Sequence, residues 1–326
     1  MLRYIIRRTL YIIPIVFGVA LITFLLFHIA GGNPAEVLAG KHATEEVIKD
    51  IEHQLGFDKP LFVNGEALKK GNLKAAFDSQ FVFYLKQIVT LNFGRSYSTK
   101  QKVSTMLLDG LGPSLSLMVP AFIFGSLLGI CIALFCAFYR NSFIDKSLVI
   151  LSITGMSVSM LAYIIGGQYI LAFKLKLFPI HGYARGFAGL KYLVLPGLIW
   201  VISGLGSNIR FFRTVMLDET KQDYVRTAFA KGLNKKAVLF KHILKNSLIP
   251  IITVLVIALP FLYTGSLLLE RFFGIPGLGD MFINAFLSSD FPVMKALVFI
   301  GSVLYVFANL LSDICYAWVD PRVRLR

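Results

Sequence analysis

The chain has 326 residues, of which 56% are hydrophobic and 16% are charged, and its mean hydropathy is +0.71. A soluble protein would carry about 25% charged residues, so this composition excludes an ordinary soluble domain and indicates an integral membrane protein. The net charge of +15 could suit nucleic acid, but the long apolar runs place it in loops that face anionic lipid and an acidic partner. We therefore expect no nucleic-acid binding.

Six apolar segments are long enough to cross a bilayer as helices, which takes about 20 residues each. Their approximate bounds are Thr9–Ala30, Ser114–Tyr139, Ser147–Phe173, Tyr192–Phe211, Ser247–Leu269 and Val293–Trp318. We predict an all-α integral membrane protein with six transmembrane helices. The first segment follows Arg3, Arg7 and Arg8 but is too long for a typical signal peptide, so we expect an uncleaved first span.

Lysine and arginine in the short loops predict the orientation of the chain. They are concentrated in the leader, in the tail after residue 321 and in the segment 210–245. Six spans put all three on one side, and the positive-inside rule makes that side cytoplasmic, with both termini inside. Four basic residues would lie outside and are outnumbered: Lys174, Lys176, Arg185 and Lys191.

Residues 31–113 are predicted to form a small helical extracytoplasmic segment between the first two spans. Glu45–Leu55 has the pattern of an amphipathic helix that ends at Gly56, and a second helical pattern begins at Phe81. A structural lid and a specific docking surface are both open interpretations. The predicted division of the chain is 1–30 for the N-terminus and first span, 31–113 for the extracytoplasmic segment, and 114–326 for a five-helix core with a cytoplasmic loop at 212–247.

The cytoplasmic segment 223–250 is basic, amphipathic and interrupted by glycine. Val225 and Phe229 stand four residues apart, as on one face of a short helix, and Gly232 is a suitable stop for that helix. Asn234 can then cap a second helix that leads into the fifth span. Residues alone leave two interpretations open, a helix that docks in a groove of a cytoplasmic partner and a basic helix on anionic lipid.

The sequence DYVRTAFAKGL at residues 223–233 resembles the ATPase-coupling loop of binding-protein-dependent ABC importer permeases, in the form found in the oligopeptide/dipeptide branch. The general pattern of that superfamily is E-A-A, three residues and Gly. Aligned on Gly232, only Ala228 also matches it, since Arg226 and Thr227 replace the first two positions. Further blocks follow in the family's order, among them LGFDKPL from Leu55, ERFFGIPGLG from Glu270 and NLLSDICYAWVDPRV from Asn309.

The resemblance implies a permease subunit that forms half of the translocation pore of an ATP-driven peptide importer in the bacterial cytoplasmic (inner) membrane. Its implied partners are a second homologous permease, two cytoplasmic ABC ATPases and an extracytoplasmic peptide-binding protein. ATP and Mg²⁺ would be held by the ATPases, and this chain would bind no cofactor itself. The residues implied to contact an ATPase are Asp223, Tyr224, Val225, Arg226, Thr227, Ala228, Lys231, Gly232 and Leu233.

Polar residues within the spans are candidates for lining the peptide pathway, although serine and threonine in such helices usually pack or bond to their own backbone. The candidates are Ser157, Gln168, Ser207, Asn208, Thr264 and Glu270. Glu270 is predicted to end the fifth span, ahead of a glycine- and proline-rich turn at the outer mouth. Asp313, near the inner end of the sixth span, is expected to have a structural role in a hydrogen bond or an ion pair, for which Arg210 and Arg213 are candidate partners.

The sequence contains none of the common catalytic or nucleotide-binding motifs, which are G-x-x-x-x-G-K-[ST], H-E-x-x-H and G-x-S-x-G. We therefore expect no catalytic residue in this chain. The three cysteines lie in apolar runs without a CxxC pair, so we expect no metal site either. Two alternatives remain open. One is a permease of the same family for nickel or another small solute, and the other is a self-contained secondary transporter or channel.

Overall fold

The computed structural model describes residues 2–29, 34–39, 43–64 and 76–319. In this part of the chain the structure is all-helical, and its β-type pairing is one isolated bridge between Arg95 and Lys102. The helices are α1 Leu2–Ile29, α2 Pro34–Ala39, α3 Glu45–Leu55, α4 Gln80–Val89, α5 Val103–Phe138, α6 Phe143–Ser157, α7 Met160–Lys174, α8 Leu190–Glu219, α9 Asp223–Ala230, α10 Lys235–Thr264, α11 Leu267–Phe273, α12 Leu278–Leu287 and α13 Phe291–Val319.

Five of the described helices are long and apolar enough to cross a membrane, and the pair α6 and α7 makes a sixth span if it is counted as one. The predicted all-α membrane class is therefore confirmed. The third predicted span, Ser147–Phe173, is wrong in shape because the chain bends by 93° between α6 and α7. Val158 is extended at the bend, and the Ser159 hydroxyl accepts a hydrogen bond from the Ala162 amide to start the new helix.

The fifth predicted span, Ser247–Leu269, has different bounds at both ends. The helix α10 begins at Lys235 and includes π-helical turns at Leu239–Leu244, so it extends far into the basic segment. It ends at Thr264 because Gly265 adopts a positive φ of 67°, and α11 begins after Ser266. Glu270 therefore lies in a separate short helix and not at the end of a span.

The chain separates into two compact units. The first contains Met1–Ile5, Gly112–Asp280 and Phe307–Arg326. Two apolar clusters hold it together. One is built on Leu117, Ile164, Leu195, Leu269 and Phe273, and the other on Phe212, Met216, Val225, Val238 and Ile243.

A bidentate ion pair joins α6 to α8 in the first unit. The Arg213 Nε and Nη2 atoms donate to the two carboxylate oxygens of Asp145, each over 2.7 Å, and the Asp145 side chain is 2% exposed. The Asn141 amide donates to Asp145 over 3.0 Å, and the Ser142 hydroxyl caps the same turn. Arg213 is thus paired with Asp145. The Asp313 side chain lies outside the described residues, so its expected contact with Arg210 or Arg213 stays a prediction.

The second unit contains Ile6–Leu111 and Met281–Val306. Its helices α3 and α4 confirm the two helical patterns of the extracytoplasmic segment, and Gly56 ends α3 in the left-handed conformation with φ of 74°. The Phe24 ring of α1 lies 5.2 to 5.9 Å from the rings of Phe62, Phe81 and Tyr84. The contacts with Phe62 and Phe81 are edge-to-face, and such contacts stabilise the unit beyond simple burial of apolar area.

The substitution Asp145→Asn is expected to lower the free energy of unfolding by about 3 kcal/mol, because it leaves the mostly buried Arg213 guanidinium without its carboxylate partner. The measurement is reversible unfolding in detergent micelles, followed by circular dichroism. Asp218→Asn is the matched control, since the Asp218–Lys221 pair is exposed and its loss should cost less than about 0.5 kcal/mol. Equal effects of the two substitutions would contradict this account.

Candidate functional site

The segment that follows α8 folds as a short helix, a tight turn and the start of a long helix. α9 covers Asp223–Ala230, and the turn after it passes through Gly232, whose φ is 79°. The Gly232 amide donates to the Phe229 carbonyl over 2.9 Å. The Asn234 side chain accepts from the Ala237 amide over 2.8 Å and so begins α10. The predicted helix, glycine stop and asparagine cap are all confirmed.

One face of α9 packs against other helices of the first unit. The side chains of Val225 and Ala228 are 2% and 4% exposed, and they contact the cluster that contains Phe212, Met216 and Val238. Burial of these two apolar side chains fixes the helix against α8 and α10. They therefore hold α9 in place, and they offer no exposed side-chain surface to another protein.

The opposite face of α9 and the turn after it are exposed. Six of the nine predicted coupling residues lie there: Asp223, Arg226, Thr227, Lys231, Gly232 and Leu233. Phe229, which the motif-based prediction omitted, lies one turn after Val225 at the edge of the buried face; it is 49% exposed and is the largest exposed apolar side chain of this segment. The four-residue spacing from Val225 indicated a helix but not which of the two side chains would be buried. That these residues contact an ATPase stays a prediction.

Polar contacts fasten both ends of this segment to longer helices. The Tyr224 hydroxyl donates to the Glu219 carboxylate at the end of α8, and burial together with that carboxylate raises the pKa of Tyr224 to about 12. The Lys235 ammonium donates to the Phe138 carbonyl at the end of α5, and it lies 4.6 Å from the centroid of the Phe138 ring. A cation is favourable at the C-terminal end of a helix, where the carbonyls carry partial negative charge.

Glu270 is the most deeply enclosed acidic side chain among the predicted site residues, with 0% exposure. One carboxylate oxygen accepts from the Ser114 hydroxyl over 2.8 Å, and the other accepts from the Gly279 and Asp280 amides over 2.7 and 3.1 Å. Ser114 in turn accepts from the Leu278 amide over 2.8 Å. Burial raises the pKa of Glu270, and these donors act in the opposite direction.

The remaining candidates for the peptide pathway have exposed or half-buried side chains. The hydroxyls of Ser157, Ser207 and Thr264 donate to carbonyls of their own helices, and all three residues are exposed. Gln168 bridges two segments by donating to the carbonyls of Ile180 and Phe272 over 3.1 and 3.0 Å. Asn208 is half-buried. Glu270 reaches no surface of the described chain, and the pathway role of this set stays a prediction.

Residues 129–325 match the family described as binding-protein-dependent transport system inner membrane component. Residues 1–118 match the N-terminal region of such membrane components. The chain belongs to this family. With its apolar helices, this membership makes the chain a multi-pass permease component of an ABC importer in the bacterial inner membrane.

Relatives of this permease are similar over their whole length. It is 33% identical to a probable peptide ABC transporter permease of Sinorhizobium fredii, over 98% of this chain and 99% of the relative. It is 31% identical to a glutathione transport system permease of Salmonella choleraesuis, over 100% of both chains. A dipeptide transport system permease of Alkalihalophilus pseudofirmus is 28% identical, over 99% of this chain and 100% of the relative.

The permease should be destabilised by Gly277→Ala, by about 1 to 3 kcal/mol, because a methyl group at this position would lie 2.4 Å from both the Glu270 carboxylate and the Ser114 hydroxyl. The measurement is thermal and chemical unfolding of the purified permease in detergent. Gly204→Ala is the control, since α8 leaves open space at that position and alanine favours a helix. The interpretation fails if Gly277→Ala is as stable as the control.

Proposed function

We propose that this permease forms half of the translocation pore of a peptide importer and takes its energy from cytoplasmic ATPases through α9 and the turn after it. The single observation that carries the proposal is the division of α9 into two faces. One face is packed into the body of the first unit, while the rest of the helix and the turn after it leave Phe229 and Leu233 exposed among charged side chains.

The exposed face has the chemistry of a protein interface. Phe229 is 49% exposed and Leu233 is 38% exposed, and around them lie Asp223, Arg226 and Lys231. Interfaces commonly place an aromatic anchor at the centre and charged groups at the rim. A surface helix that only contacted lipid would present a wider apolar face with cations along one side. The pattern therefore favours a groove on an ATPase over a lipid surface.

The buried face and the polar contacts allow α9 to transmit force. Tyr224 is bonded to the end of α8, Lys235 is bonded to the end of α5, and Val225 is packed among residues of α8 and α10. Packed side chains and hydrogen bonds resist compression, so a push on α9 displaces these longer helices with it. Closure of an ATPase dimer on ATP would thereby switch the spans between outward-facing and inward-facing states.

The substrate and the partners are proposed on the family and on the named relatives. The relatives are named for peptide, dipeptide and glutathione transport, which supports peptide as the substrate of this permease. A second homologous permease would complete the pore, and a binding protein outside the membrane would deliver peptide to it. Two ATPases would hold ATP and Mg²⁺, and this chain would contribute no catalytic residue.

Peptide-stimulated ATP hydrolysis in proteoliposomes tests the coupling surface. The substitution Phe229→Ala is expected to raise the ATPase concentration needed for half-maximal hydrolysis about thirtyfold, because loss of a central aromatic anchor costs about 2 kcal/mol. Stimulation by peptide and binding protein should fall in parallel. Phe229 is a better probe than Ala228, because a polar side chain at Ala228 would disturb the buried cluster and the fold with it.

Phe187→Ala is the matched control, since Phe187 is 93% exposed in the loop that the topology predicts on the outer side. It should leave the ATPase titration unchanged. An unchanged titration with Phe229→Ala would contradict coupling through this surface. Stimulation by Ni²⁺ or another small solute, without stimulation by peptide, would retain the coupling surface and exclude the peptide substrate.

A further inference from the structure

The second unit encloses a cavity of about 700 Å³, which is within the range of small-ligand sites. Its lining residues come from α1, from α3 and the turn 56–59 after it, from α4, from the loop 93–100 and from the start of α13. Phe24, Tyr84 and Phe93 form buried parts of the wall, with exposures of 3 to 5%. Each of these segments belongs to the same compact unit, so the cavity is a feature of that unit alone.

Among the described residues, the lining of this cavity is cationic and contains no acidic side chain. Four cations line it, namely Lys59, Arg95, Lys100 and Lys295. Lys59 is neutralised by Asp78, which lies outside the cavity, over 2.7 Å. Asp290 lies next to the cavity wall, but its carboxylate is occupied by the Ser96 hydroxyl and by the Tyr97 and Ser98 amides. Within the part of the chain that the structure describes, the cavity therefore has an excess of positive charge.

Of the four cations, Lys295 is the one whose side chain is partly buried without a neighbouring carboxylate among the described residues. It is partly buried in the first turns of α13, and among the described residues no carboxylate lies within ion-pair distance of it. The titratable side chain that interacts with Lys295 is His28, and histidine is itself a cation when protonated. A buried ammonium without a counter-charge is unfavourable, and an anionic group bound in the cavity would relieve that cost.

The cavity wall also carries free polar groups of the kind that pair with a peptide bond. The Tyr84 hydroxyl is buried; Thr23 is the one polar side chain beside it, and no well-aligned hydrogen bond joins the two in the described structure. The Gln87 side-chain amide also lines the cavity without a hydrogen bond to any described residue, and its nitrogen would lie 3.8 Å from a Cβ at Gly94. Phe57 and Phe83 provide apolar surface nearby. An acyl chain of a lipid would leave these polar groups unpaired.

We propose that this cavity is a binding site for a short peptide with a free C-terminal carboxylate, which pairs with Lys295 while the aromatic wall takes an apolar side chain. Arg95 and Lys100 at the exposed rim would draw the anion towards the cavity. The inference shares its substrate class with the proposed function. It concerns a separate site, in the unit that contains the predicted extracytoplasmic segment, and binding there requires neither ATPase nor binding protein.

Equilibrium binding of radiolabelled Ala-Phe-Phe to the full-length chain in phosphatidylcholine nanodiscs tests the site. The free acid should bind at least about tenfold more tightly than the same tripeptide with a C-terminal amide, because the amide lacks the negative charge that pairs with the Lys295 ammonium. Lys295→Met should reduce binding of the acid to the level of the amide, and Lys295→Arg should retain it. Lys86→Met is the matched control on the exposed side of α4 and should change nothing.

Equal binding of acid and amide, or full binding of the acid by Lys295→Met, would overturn the inference. Loss of peptide binding when phosphatidylglycerol is added to the nanodiscs would overturn it too, because the cavity would then be a lipid site. The variants are compared by unfolding temperature, and the Lys295→Arg variant separates loss of charge from loss of fold. Peptide-stimulated hydrolysis without peptide binding at this cavity would contradict only the inference. Peptide binding at the cavity without stimulated hydrolysis would contradict only the proposed function.

Discussion

The constraint on which the rest of this structure depends is that charges and backbone polar groups in an apolar environment must find partners within the protein. Asp145 meets it with the guanidinium of Arg213, and Glu270 meets it with one hydroxyl and two amides. The bend between α6 and α7 meets it with the Ser159 cap. In each case a polar side chain fixes a place where a helix starts, ends or contacts another helix, so that the apolar surface of the spans is free to pack.

The Glu270 arrangement shows how one carboxylate can determine a glycine-rich loop. The turn 274–277 and the first residues of α12 pass close to its oxygens, as does Gly265 ahead of α11. A Cβ at Gly265, Gly277 or Gly279 would lie within 3 Å of the carboxylate. Only residues without a side chain can approach it so closely. The amides at the start of α12 then point at the negative charge, which the partial positive charge of a helix N-terminus favours. The buried charge of Glu270, the glycines around it and the start of α12 therefore depend on one another.

Sequence alone predicts the features of this protein that are local. The helix α3 with Gly56, the turn at Gly232 and the cap at Asn234 follow from short-range geometry, and the structure confirms them. The pairing of Asp145 with Arg213 joins residues 68 apart, and that of Ser114 with Glu270 joins residues 156 apart, so no local pattern contains them. The 93° bend was missed because hydropathy sums composition and is insensitive to the one extended residue at Val158.

The two faces of α9 also explain which parts of the coupling-loop pattern this chain keeps. It keeps alanine at Ala228, which is 4% exposed and has room only for a small side chain, and glycine at Gly232, whose φ of 79° disfavours other residues. It departs from the general pattern at Arg226 and Thr227, which are exposed. The retained positions are those that the fold of the turn requires, whereas the divergent ones lie on the surface that a partner would contact. A pattern of this kind therefore marks the scaffold of the site, and under the proposed function the exposed residues between its fixed points would be the ones that recognise a particular ATPase.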